Sequence, residues 1–240
     1  MRYLDKLEEG YFYHIYNRSN GVEDLFREDT DYEHFLELYD KYICPVADTY
    51  AWALMPNHFH YLIRIKERMY YRYSKNDFSK TNANRSLNLD AVRFEDVKWK
   101  TVKLDAVHLS AFEKPDRVNN RKKANPTHHF SHLFSSYAKY INGKYKRSGS
   151  LYQRPFKRNR IDNIQYLRNA LVYIHYNPVH HGFTNEIDDY PWTSFHNYLP
   201  NEMPEYIVKH VFEWFGGRNS FFQSHSISSP IDKLWEKFEG

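Results

Sequence analysis

"ALMPNHFHYLIRIKE", Ala53 to Glu67, decides the fold. Pro56 and Asn57 form a turn dipeptide, since proline presets φ and asparagine tolerates tight-turn geometry. The flanking runs "DTYAWALMP" and "HFHYLIRIK" are rich in β-branched and aromatic residues and read as the two arms of a β-hairpin. Side chains at i and i+2 of a strand point the same way. His58 and His60 therefore share a face with Leu62, while Phe59, Tyr61, Ile63 and Ile65 take the opposite, core-facing side. Two imidazoles about 7 Å apart along a strand can converge on one cation. Imidazole suits zinc, copper, iron, nickel and manganese, and magnesium where oxygens complete the shell. The competing reading is a pair of surface or hydrogen-bonded histidines, in a chain that contains 14.

Upstream, "YFYHIYNRSNG" alternates and breaks at Ser19-Asn20-Gly21, a strand followed by a turn. "DTDYEHFLELYDKYI" opens on capping residues at Asp29 to Asp31. It repeats Phe35, Leu38 and Tyr42 at helical spacing. Downstream, residues 67–126 are weakly patterned and read as an insertion, with "VKWKTVKL" as a possible strand. "PTHHFSHLFSSYAKYINGKY" is a helix whose Phe130, Leu133, Phe134, Tyr137 and Ile141 share a face. "SLYQRPFKRNRI" is extended, and Pro155 suits an edge strand. "DNIQYLRNALVYIHYNP" is a further helix, with Asp162 as its expected cap and Pro178 as its expected stop. The order β-α-β-β-α-β matches the split βαβ, ferredoxin-like α+β pattern. It occupies residues 1–66 and 127–198, and a helical extension covers 199–240. "DDYPWTSF" closes the domain at residues 188–195, and in the extension "WFGGRNSFF" lies between two helices.

Composition narrows the class. Of 240 residues, 41% are hydrophobic, enough for a real core. Aromatics make up 18%, with 22 Tyr and 17 Phe, which suits either base-stacking platforms or a Tyr-rich core. One cysteine, Cys44, excludes an internal disulfide framework and a Cys-rich zinc cluster. The start has no apolar signal-peptide region, and no apolar run nears the ~18 residues of a membrane span. A cytoplasmic, nucleoid-associated protein with no membrane partner is the expectation. Net charge is only +4, but eight cations fall between Ser131 and Ile161 without one Asp or Glu. They are Lys139, Lys144, Lys146, Arg147, Arg154, Lys157, Arg158 and Arg160, interleaved with Tyr140, Tyr145, Tyr152 and Phe156. Cations hold phosphates and aromatics stack on bases, so the tract points to nucleic acid, against the plainer reading of a solvated face. Asn17, Arg18, Gln153 and Arg154 are further candidate DNA contacts. The cluster His128, His129 and His132 reads better as a polar helix start or phosphate contact than as a metal site.

Taken together, "YHIYNRSNG", "WALMPNHFHYLI", "SGSLYQRPFK", "YIHYNPVHHG" and "DDYPWTSF" resemble the Y1 transposases of the IS200 type. The REP-associated tyrosine transposases are the branch they resemble most. The resemblance runs from about Tyr11 to Ser194, apart from the insertion. It implies a ferredoxin-like HUH nuclease domain that cleaves and rejoins single-stranded DNA beside hairpins through a 5′-phosphotyrosine. It implies His58 and His60 as the paired metal ligands, Tyr173 as the nucleophile and Asn177 as the polar residue that completes the site. The implied cofactor is Mg²⁺ or Mn²⁺. The helix period agrees as far as it goes: Tyr173 and Asn177 are at i, i+4 on one flank, expected to face the sheet edge without entering the core. Tyr166 lies on the same flank and competes for the nucleophile's role. The alternatives are a non-catalytic nucleic-acid-binding module of ferredoxin-like fold and a metal-dependent hydrolase in which water attacks. Monomer or homodimer stays undecided.

Overall fold

The computed structural model describes residues 5–72, 121–198 and 202–226. Its first strand, β1 (Phe12–Arg18), leads into helix α1 (Asp29–Tyr42), then β2 (Ala47–Met55) and β3 (His58–Ile65). After the insertion come α2 (Pro126–Lys144), β6 (Lys157–Ile161) and α3 (Ile164–His180). The sheet is antiparallel in the order β2-β3-β1-β6, so the hairpin read from the sequence is its centre and edge. The ends of the insertion pair as a two-stranded ladder, β4 (Tyr70–Arg72) with β5 (Arg121–Lys123). The chain thus leaves and returns at one place, and the four-stranded sheet is undisturbed. The alternating stretch at 97–104 lies outside the described residues.

Both faces of the sheet are covered. Tyr13, Ile15, Phe59, Tyr61 and Ile63 pack against Phe35 and Tyr39 of α1 and Phe130, Leu133, Tyr137 and Ile141 of α2. Burying a side chain such as Phe35 stabilises the fold by roughly 1.5–3 kcal/mol. On the other face Ala53, Met55 and Leu62 meet Leu167, Ala170, Leu171 and Ile174 of α3. The tail supplies α4 (Glu205–Phe215) and α5 (Arg218–Ser226), whose Ile207, Val211 and Phe221 join this second core. Gly216 and Gly217 join the two helices with φ of 78° and 126°, where any side chain would be strained. Many tyrosines are structural. Their rings are buried and their hydroxyls donate to backbone carbonyls, as Tyr137 does to Leu25 (2.8 Å) and Tyr190 to Leu54 (2.7 Å). For these residues the Tyr-rich core explains the composition, because a buried phenol needs a partner.

Several local expectations are corrected. The α3 cap is Asn163, whose Oδ1 accepts from Tyr166 N at 2.8 Å, not Asp162. Pro178 does not stop α3, which continues to His180. A proline this near the C-terminus forfeits one helical bond, and His181 N still donates to the Asn177 carbonyl at 3.0 Å. In α1 the cap is Glu28, while Asp31 sits at the third helical position and accepts from the Arg27 and Glu28 amides. Pro155 lies ahead of the edge strand rather than within it.

Candidate active site

The histidines lie where the hairpin register puts them. In the β1–β3 ladder Tyr16 opposes His60 and Arg18 opposes His58, so all four face α3. The two imidazoles sit 5.3 Å apart, centroid to centroid, and nearly perpendicular. Asn177, one turn from the end of α3, brings its Oδ1 to 3.2 Å from His58 Nε2. Tyr173 lies edge-on to His60 at 5.5 Å and to His14 at 5.7 Å. The four residues singled out as a site are therefore brought together, from strands and a helix more than a hundred positions apart in sequence.

The α3 flank is not at the sheet edge, however. Tyr173 and Asn177 are both 0% exposed, because α3 lies across the sheet rather than beside it. His58 and His60 do reach a cleft of about 190 Å³, lined also by Tyr16, Asn17, Arg18, Gln153 and Lys157. Tyr173 is not in that lining. Burial pushes His58 down to about 3, helped by the neighbouring charges of His181 and Arg18 and opposed by the Asn177 oxygen, which favours the charged ring. Burial, then the neighbouring His14, drives His60 well below the usual histidine range. Both rings are therefore neutral at pH 7, the form that can ligate a metal.

Among the described residues no group of three or more His, Cys, Asp or Glu could hold a metal ion. The candidate set is two imidazoles and one amide. Its chemistry fits a divalent cation. His58 Nδ1 donates to Asn57 Oδ1 at 2.6 Å, which leaves Nε2 a bare lone pair facing the Asn177 oxygen. With the amide oxygen facing it this is acceptor against acceptor, which a cation between the two would relieve; with the amide turned about, Nδ2 would donate to Nε2 instead. The Asn177 Nδ2 is buried and has no hydrogen-bond partner among the described residues, so nothing else there ties down the amide.

The basic tract divides. Asn17, Arg18, Gln153 and Lys157 line the histidine cleft. Lys139, Arg154 and Arg158 line a larger cleft of about 820 Å³ beside α2, which shares Asn17 and Gln153 with the first. Lys146 is exposed. The other three are engaged in ion pairs. Lys144 contacts Asp31 at 2.6 Å and also Glu28; Arg147 meets Glu23 at 2.7 Å; Arg160 meets Glu8 at 2.9 Å and lies over the Tyr11 ring. His129 is fully buried and bonds the Tyr42 carbonyl, so it is not available for phosphate. Sequence reasoning missed His14, Tyr16, Asn57 and His181 around the histidine pair. The signal for two of them was present: His14 and Tyr16 repeat the i, i+2 alternation of His58 and His60 on the neighbouring strand.

No family model matches the chain. Over 60 residues it is 42% identical to a curated protein of Haemophilus influenzae named "Putative REP-associated tyrosine transposase". The chain is similar to a REP-associated tyrosine transposase. That match covers 25% of this chain and 34% of the relative, so the chain spans about a third of the length of the curated protein it matches. A solved structure described as "Structure of the REP associates tyrosine transposase bound to a REP hairpin" aligns with a TM-score of 0.48 at 15% identity, over 85% of this chain and 87% of that one. The resemblance read from the motifs is met again in the 60-residue match to the curated protein. Among the described residues no helix is long and apolar enough to cross a membrane.

Proposed function

We propose that this chain is a Y1-type HUH nuclease that cleaves and rejoins single-stranded DNA beside a hairpin, using a divalent metal and Tyr173. One observation carries the reading. Helix α3 sets the Tyr173 ring against His60 and the Asn177 amide against His58, beside a cleft edged by Arg18 and Lys157. The 42% identity to a transposase relative over 60 residues supports the same class. His58, His60 and Asn177 would hold Mg²⁺ or Mn²⁺, which when bound polarises a phosphate oxygen.

The protein's own residues supply the rest. Arg18 and Lys157 hold the strand's phosphates at the cleft mouth. The Tyr173 oxygen attacks phosphorus; an O–P bond forms, the P–O3′ bond breaks, and the electron pair leaves on the 3′ oxygen. The phenolic proton passes to solvent and the 3′ oxygen takes one up, giving a 5′-phosphotyrosine and a free 3′-OH. The bond is conserved, so a second 3′-OH can reverse the step and join strands. Because Tyr173 is buried, the attack requires α3 or its side chain to open toward the cleft.

That burial also favours a second reading, a hydrolase in which water attacks at the histidine cleft. The deciding experiment incubates the protein with labelled hairpin-flanked single-stranded DNA and Mn²⁺, followed by a denaturing gel. A protein–DNA adduct that disappears in Tyr173→Phe, with DNA affinity unchanged, supports the transesterase. Cleavage without an adduct, surviving in Tyr173→Phe, replaces it with the hydrolase. Binding with no cleavage leaves a binding module.

A further inference from the structure

His14, on β1, has no role in the proposed chemistry. It is 0% exposed, and its Nε2 lies 2.9 Å from His60 Nδ1. The two ring planes are within 17° of each other. Tyr16 stacks on both rings, at 4.9 Å and 5.5 Å, and Tyr173 closes on both edge-on. The pair is therefore held in one geometry by two tyrosines.

A neutral imidazole carries one N–H, so the short contact contains one proton, and its owner decides what His60 can do. If His14 donates, His60 must carry its proton on Nε2, and that nitrogen cannot bind a cation. If His60 donates, its Nε2 is bare. We propose that His14 is a positioning residue that accepts the His60 Nδ1 proton and so holds His60 in the tautomer that presents Nε2 as a metal ligand. Asn57 does the same for His58, whose Nδ1 donates to its side-chain oxygen. Each metal-site imidazole thus has its own acceptor behind it, one amide and one imidazole. Such outer partners fix ring orientation and raise ligand basicity. The inference rests on the metal reading given above.

The test uses the full chain labelled with ¹⁵N-histidine. Long-range ¹H–¹⁵N correlation at pH 7.5 in EDTA reads the His60 tautomer directly, with His60→Gln providing the assignment. An Nδ1–H, bare-Nε2 pattern is expected; an Nε2–H pattern overturns the inference whatever the metal does. Calorimetric titration with Mn²⁺ then compares wild type, His14→Phe and His14→Gln. His14→Phe should lose about 10- to 100-fold in Mn²⁺ affinity. His14→Gln, which restores an acceptor oxygen, should recover most of it. Wild-type affinity in His14→Phe overturns the inference alone. Wild-type protein that binds no Mn²⁺ overturns the metal reading itself. Should His14→Phe fail to fold, the tautomer of the wild type still decides.

Discussion

Asn177 is the residue on which the metal reading turns, because among the described residues it brings an oxygen to the Nε2 side of His58, the side that would face a cation. Its Oδ1 is 3.2 Å from His58 Nε2, and Asn177 is itself fully buried. Asn177→Asp would place a carboxylate there, a better ligand for a hard cation but a buried charge without one. That variant should melt below wild type in EDTA and gain more from Mn²⁺ than wild type does, both read by thermal shift. Equal Mn²⁺ shifts for the two proteins would remove Asn177 from the ligand set. The histidines make a separable claim. His58→Ala or His60→Ala should abolish metal-dependent cleavage and leave DNA binding within a few-fold, as measured by gel assay and by anisotropy. Full cleavage by the double variant would end the assignment.

At the scale of elements, strand alternation sorts the basic tract. Lys157 opposes Tyr16 on the histidine face, while Arg158 and Arg160 oppose Ile15 and Tyr13 on the face covered by α1 and α2. At the end of α2, Lys144 pins that helix to the start of α1 through Asp31, which also accepts from Tyr145 at 2.7 Å. Asp31 is fully buried, and against the opposing effect of burial its bonds to Lys144, Tyr145 and the Arg27 amide hold its pKa below the usual carboxylate value. Lys144→Met should therefore lower the melting temperature by several degrees and leave DNA affinity unchanged. With Lys144, Arg147 and Arg160 in ion pairs, about five cations of the tract remain for phosphate, and Arg18 makes about six. The log–log salt slope for single-stranded DNA should be about −4.2, against about −6.3 if the whole tract engaged with Arg18. A slope at the steeper value would return the paired cations to the interface. The sequence made the hairpin, the helices and the histidine face legible because each rests on the period of one element. It did not make the Lys144 pairs legible, since they join positions more than a hundred residues apart. Nor did it reveal the burial of Tyr173. Periodicity places a residue on a flank of α3, but that flank is covered by a sheet face that only the assembled topology creates. The motif resemblance, not the local pattern, separated Tyr173 from Tyr166, which is half-buried with its hydroxyl pushed up to about 12 chiefly by burial.

Across the whole molecule, each of the two cores is tied internally by buried histidines remote from the cleft. On the α1–α2 side His129 bonds the Tyr42 carbonyl. On the α3 side a polar chain crosses the second core: His225 Nδ1 donates to the Phe221 carbonyl (2.8 Å), His175 Nδ1 donates to His225 Nε2 (3.0 Å), Ser194 Oγ donates to His175 Nε2 (2.9 Å), and the Trp52 amide donates to Ser194 (2.8 Å). One consistent arrangement of protons satisfies every member, and it staples α5 and α3 to β2. It also requires neutral rings. Burial lowers His129 and His225 to about 4 and drives His175 well below the usual range. In the unfolded chain the same groups take up a proton near 6.5. Between about pH 4 and 6.5 the unfolded state binds more protons, so stability is full above pH 6.5 and falls as pH drops through that window. Each such histidine costs about 2 kcal/mol by pH 5, and these three, together with His14, His58 and His60 buried in the same way, reach the ~5–15 kcal/mol that holds an ordinary domain folded. Urea unfolding in EDTA should show a constant midpoint from pH 8 to 7, a steep fall below 6.5 and little folded protein left near pH 5. His175→Phe together with His225→Leu, which removes two of the titrating groups, should flatten that fall even if it lowers stability at pH 8. A midpoint that holds steady from pH 7.5 to 5 would mean that these histidines are not buried neutral, and that the polar chain is not what joins α5 to the sheet.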